Sequence, residues 1–287
     1  MTAHGLRFPF VQLDVPGRLG LDDGRYLLRE AGDERQTVVV VQTLGAAPAR
    51  GPRIQRRARR AEQGLPSEVP LTRLTVIPAE PSEPDEAARE LERVARDSEA
   101  AEATVTAALR SANTVVRAHR VASQDPYGHE IGRDAALTVR TGYGTGDGLA
   151  EGRWEKAVEV RAGIRRQRRA QALRPQERVA AVLAGRERID VCEPLLLRAR
   201  ADLDQGRDRE AALQLRAGLE ALLAEPPKST GPDQEEDLAA LEASRDATVA
   251  AAEQALRGGL APERTAELGE TLRICERVLR RRQALRD

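Results

Sequence analysis

The stretch richest in residue types that could do chemistry is Ser123 to Val160, SQDPYGHEIGRDAALTVRTGYGTGDGLAEGRWEKAVEV. It holds three of the six aromatic residues, Tyr127, Tyr143 and Trp154, together with His129. Glycines alternate within it at Gly142, Gly144, Gly146 and Gly148. Backbone amides freed of side chains can cradle a phosphate, above all at a helix N-terminus. The dinucleotide fingerprint follows a strand inside a βαβ unit, which this sequence lacks, and Asp147 would repel an anion. His129 lies beside Glu130 and near Asp125 and Asp134, donor types that suit an acid–base or metal cluster. No ligand spacing such as HExxH accompanies them, so no metal site and no cofactor is expected. The candidate ligand-binding group is therefore Tyr127, His129, Tyr143, Trp154, Gly142, Gly144 and Gly146, aromatic walls around a glycine floor.

Other nucleophiles and acids do not assemble into a catalytic set. There is no GxSxG elbow, and Cys192 and Cys275 lack CxxC partners and read as small core residues. His119 continues an apolar stripe and reads as a core histidine. Lys228-Ser229-Thr230 ends like a phosphate loop but lacks its glycines. No catalytic residue is assigned.

Basic segments form the second candidate site. Residues 50 to 61 hold six arginines and no acid, with Arg53, Arg56, Arg57, Arg59 and Arg60 the densest. Residues 162 to 189 hold eight, led by Arg165, Arg166, Arg168 and Arg169. Either could contact nucleic-acid phosphates, although neither carries an aromatic on which a base could stack. Acidic blocks at 80 to 102 and 225 to 246 balance them, and the formal net charge is zero. A uniformly basic nucleic-acid binder is thereby excluded. Whether the blocks meet inside the fold decides how much basic surface is left. Only Lys156 and Lys228 are lysines, so arginine abundance reflects composition as much as function.

The elements that must position these residues fall into two kinds. The first eighty residues read as strands at Leu6 to Val15, Arg25 to Arg29, Gln36 to Leu44 and Leu71 to Pro78, with a hairpin signal at Asp23-Gly24. Residues 45 to 70 between the last two read as a functional or disordered basic loop. From Ala87 small and apolar residues recur at 87, 91, 94, 98, 101, 105, 108, 112 and 115, a 4-3 spacing that predicts one long helix from Pro84 to about Ala122. A short helix is expected near 134 to 140, a glycine loop after it, and a helix near 149 to 160. Further helices are expected over 162–173, 176–186, 194–205, 208–224, 234–257 and 263–285, punctuated by Pro175, Pro194, Gly206, Pro262 and the linker at 226–232. Leu195 to Leu223 is a helical hairpin in which Gly206, Ala211, Leu215 and Leu219 resemble part of a tetratricopeptide unit. The resemblance spans about thirty residues; the Trp, Tyr and closing Pro of that pattern, and a second copy, are missing.

The expected fold class is α+β, a small N-terminal antiparallel sheet followed by a large, mostly helical region. Expected domains are 1–82 (β), 83–161 (long helix and glycine-rich middle) and 162–287 (helical bundle or hairpin array). Apolar residues make 40% of the 287, enough for a core, whereas 2% aromatics force that core to close through Leu, Val, Ile and Ala. Two cysteines exclude a disulfide scaffold, and no apolar run approaches a membrane span. With no secretion-type segment at the N-terminus, a cytoplasmic location and no membrane partner are expected. These features favour a non-enzymatic interaction or scaffold protein with a protein partner or self-association. The alternatives are a nucleic-acid binder using segments 50–60 and 165–178, and a ligand-binding module or enzyme around Tyr127 to Trp154.

Overall fold

The computed structural model describes residues 5–29, 35–45, 69–146, 148–160, 169–225 and 232–284. The chain divides into two compact units, 1–166 and 167–287.

The first unit is built on a six-stranded sheet. Its strands are β1 (Phe8–Pro16), β2 (Gly24–Arg29), β3 (Gln36–Leu44), β4 (Leu71–Pro78), β5 (Thr138–Gly144) and β6 (Lys156–Glu159). They lie in the order β2-β3-β4-β1-β5-β6, and every neighbouring pair is antiparallel. The sheet draws strands from both sides of residue 82. Alternation sorts the side chains. Val11, Leu13, Val15, Val39, Val41, Leu74, Val76 and Val139 share one face and form the core with two helices. These are α1 (Pro84–Arg96) and α2 (Ser98–Ala122).

The heptad stripe runs along both helices. Ala87, Leu91, Val94, Ala101, Val105, Ala108, Ala112 and Val115 are all buried. The single long helix expected from Pro84 is interrupted at Asp97, whose backbone is extended at φ −107° and ψ 114°. Asp97 stops α1 and caps α2, accepting a hydrogen bond from the Glu99 amide at 2.8 Å. The stripe's polar member, Ser98, marks the break. Buried Asn113 on α2 then pins the return segment, bonding both the amide and the carbonyl of Ile131 at 2.7 and 3.1 Å.

The helices expected near 134–140 and 149–160 are replaced by a 3-10 turn (Arg133–Ala135) and strands β5 and β6. The reason is steric and lies in the glycines. In a strand, alternate residues face the same side. Gly142 and Gly144 therefore leave one face of β5 bare, the face opposite the helices. A Cβ on Gly142 would lie 2.2 Å from the Lys156 carbonyl oxygen, and one on Gly144 would lie 2.7 Å from Leu149 Cδ2. The loop after β5 can then fold flat onto the sheet and return as β6, with Gly146 and Gly148 turning at φ +96° and +91°. Leu149 and Ala150 are buried by this return.

The second unit is helical: α3 (Arg169–Leu183), α4 (Cys192–Asp204), α5 (Asp208–Ala224), α6 (Pro232–Arg257) and α7 (Pro262–Ala284). The separate helices expected before and after Pro175 form one helix with that proline inside it. Helices α4 and α5 form the expected hairpin, turning at Gly206 with φ +70°. They approach closely, since a Cβ on Gly218 would lie 2.8 Å from Leu196 Cδ2. Helix α7 packs on α6 and also returns onto α4 and α5. This closes a bundle around Leu196, Leu215, Leu219, Leu222, Leu241, Leu268 and Leu272. The tetratricopeptide-like hairpin is thus a wall of a closed bundle and not the start of an open array.

Candidate functional site

The aromatic and glycine residues singled out from the sequence do not gather around one cavity. Trp154 stacks on Phe10, with ring centroids 5.3 Å apart, on the bare-glycine side of the sheet. By strand alternation Tyr143 points to the other, helix-covered side. Tyr127 is 79% exposed in the turn after α2, where its amide donates to Asp125 Oδ1 at 2.9 Å. His129 is exposed in the same turn. Gly142 and Gly144 face protein atoms, and Gly146 lies against the Phe8 ring, so the glycine floor is already covered. The signal for this was in the sequence: glycine at every second position is a strand period, not a phosphate-loop period.

Beneath that loop lies a polar row. Arg73 donates twice to Asp14, Nε to Oδ1 at 2.7 Å and Nη2 to Oδ2 at 3.1 Å, and Arg140 reaches Oδ2 at 3.3 Å. The hydrogen bond from Arg73 to Asp14 raises the guanidinium pKa, against a smaller opposing effect of burial. Gln12 donates to Thr75 Oγ1 at 3.0 Å and to the Ala150 carbonyl at 3.4 Å. An acid clamped by two cations from neighbouring strands serves to hold those strands together. Among the described residues no group of three or more His, Cys, Asp or Glu could hold a metal ion.

Individual acids of both acidic blocks are paired. In the acidic block that begins the helical region, Arg93 binds Glu90 and Arg133 binds Glu102. In the later one, Asp237 accepts from Arg277 at 2.7 Å and from Arg281 at 2.5 Å. Those bonds, chiefly from Arg277, hold the Asp237 carboxyl below its usual range despite its burial. Asp237 of the later acidic block is thus bound by arginines of α7. Arg53, Arg56, Arg57, Arg59, Arg60, Arg165, Arg166 and Arg168 lie outside the described residues, and Arg169 contributes backbone to the first turn of α3.

The structure adds a site that sequence reasoning missed. Val179, Leu183, Ile189, Val191 and Leu197 are all more than half exposed, within the α3–α4 corner. Arg178 fixes this corner, donating to Glu193 on α4 at 2.7 Å and contacting Glu187 in the connection at 3.5 Å. The bond from Arg178 to Glu193 raises the Arg178 pKa, with burial opposing it. Val179 and Leu183 are one helical turn apart and share a face. Exposed Arg186 and Arg188 border them. A legible signal was the triple leucine 195–197. Three consecutive residues on a helix cannot all face one core. Leu196 is 1% exposed and Leu197 72%.

No family model, curated protein or solved structure matches this chain. The reading of its function therefore stands on this geometry. Among the described residues no helix is long and apolar enough to cross a membrane. The two thiols are buried: burial raises the Cys192 pKa and pushes that of Cys275 up to about 12.

Proposed function

We propose that this chain is a non-enzymatic interaction protein whose helical unit binds a protein partner through the α3–α4 corner. The supporting observation is the set of exposed apolar side chains there, Val179, Leu183, Ile189, Val191 and Leu197, held in place by the Arg178 clamp. Exposed apolar side chains concentrated on one feature are a mark of interaction surfaces. The bordering Arg186 and Arg188 suit a partner segment with an apolar face and acidic flanks.

Site-specific photo-crosslinking tests this. A photoreactive residue at Leu183 or Leu197 should give one dominant protein adduct in cells of origin. The double change Leu183→Asp and Leu197→Asp should abolish it, with the far-ultraviolet spectrum of the helices unchanged. Adducts no stronger than those from exposed Arg110 on α2 would overturn the proposal.

A further inference from the structure

A second surface, on the sheet unit, carries its own partner information. Among the described strands, β2 and β6 are the two edges of the sheet. On β2, Arg25, Leu27 and Arg29 alternate on one face, and all three are exposed. On β6, Ala157 and Glu159 alternate in the same way, and Glu159 is exposed. One edge reads basic–apolar–basic, the other apolar–acidic.

The register places the two patterns on the same face and in the same row. Arg25 pairs with Val40, Val40 with Thr75, Thr75 with Gln12, Gln12 with Arg140, and Arg140 with Glu159. Five antiparallel pairings separate the edges, so β2 and β6 run in opposite directions. A second copy placed beside the first, continuing the rows, therefore sets its β6 antiparallel to β2. Glu159 of that copy then faces Arg25 and Ala157 faces Leu27. On the reverse face Val158 meets Tyr26, and the Lys156 stem meets Leu28. The hydrogen-bond phase also fits. Bonded and non-bonded pairs alternate along a row. Along the row from Arg25 to Glu159 the pairing is continuous, so that alternation passes across the junction there unbroken.

We infer that this chain associates with copies of itself head to tail, the β2 edge of one pairing with the β6 edge of the next. Charge selects this mode over a two-fold contact of β2 edges. Two β2 edges centred on Leu27 would set Arg25 against Arg29. Like charges directly opposite across strands are destabilising, and opposite charges are favourable. Elsewhere edge strands are blunted by charge and short length. Here β6 has only four residues, yet its Glu159 matches Arg25 on the opposite edge. A head-to-tail contact is heterologous, so assembly continues past the dimer into a ring or a filament.

Sedimentation velocity on the full chain tests this independently of the helical corner. The weight-average mass should rise with concentration at low salt and fall as salt screens the pairs. Arg25→Glu alone and Glu159→Arg alone should each raise the half-assembly concentration at least about tenfold. An equimolar mixture of the two variants should assemble again, as should the double exchange in one chain. That rescue separates edge pairing from misfolding. A monomer at every concentration and salt, single variants that assemble like the parent, or a mixture that stays monomeric would overturn the inference. Leu183→Asp should leave this assembly unchanged, so failure here and failure of the helical-corner proposal are told apart.

Discussion

The sheet unit holds all six aromatic residues and the helical unit none, and the two close in opposite ways. The sheet unit removes atoms. Glycine at 142 and 144 strips one face of β5 so that backbone can lie on backbone, with a single aromatic stack, Phe10 on Trp154, at the rim. The helical unit fills volume with Leu and Ala. It ties the helix ends with arginines, Arg209 to the Ala255 carbonyl at 2.6 Å and Arg282 to the Leu222 carbonyl at 3.0 Å. One closure cannot accept added atoms; the other cannot spare any.

That contrast can be broken by substitution. The largest effect is expected from Gly142→Val. Its branched side chain would overlap the Lys156 carbonyl and Ala157, forcing β6 off the sheet. The expected cost exceeds about 3 kcal/mol, beyond ordinary overpacking. Hydrogen exchange should show protection lost first over residues 138–144 and 156–159. A stable variant with β6 protection intact would show that the bare face does not close the sheet. The reverse test is Leu219→Ala in the bundle, at a site 1% exposed. A cavity there should cost about 3 kcal/mol in denaturant unfolding. A loss below about 1 kcal/mol would mean the bundle collapses around the gap, and the contrast would blur.

The smallest effect concerns the arginine ties. Asp237 is held below its usual pKa by Arg277 and, less strongly, Arg281. A carboxyl with a depressed folded-state pKa contributes stability in full above its unfolded value, about 3.9, and loses it as pH falls through the lowered folded value. Asp237→Asn should therefore lower the urea midpoint slightly at neutral pH, and the two midpoints should converge below about pH 4. A gap that persists undiminished into acid would place the effect in packing and not in charge.

Much of the fold was legible where local chemistry and tertiary packing agree. Strands β3 and β4 and helix α5 start and stop where the turn and cap residues put them. The stripe from Ala87 to Val115 identified the buried seam of both sheet-packed helices. Its regularity also concealed the break, because Asp97 interrupts the backbone while leaving the spacing intact. Strands β5 and β6 were missed because glycine has low strand propensity when taken residue by residue. Its value at 142 and 144 lies in what approaches from residues 149 to 157, which no local window contains. The candidate ligand group failed for a related reason. Nearness in sequence put Tyr143 and Trp154 together, and strand alternation sends them to opposite faces. The exposed corner at α3–α4 was half legible, since three leucines in a row cannot all be buried, but which of them stays outside depends on how α4 meets α5.

The two bundle thiols have a kinetic consequence. Cys192 opens α4 and Cys275 lies within α7, both almost wholly enclosed. Alkylating reagents attack thiolate, and burial that disfavours the ionised form leaves almost none in the closed state. Modification then waits on rare openings, and its rate counts them. Equal rates at the two sulfurs would mean that the bundle breathes as one body. A faster Cys192 would mean that α4 peels away first, exposing with it the helix that carries Leu197.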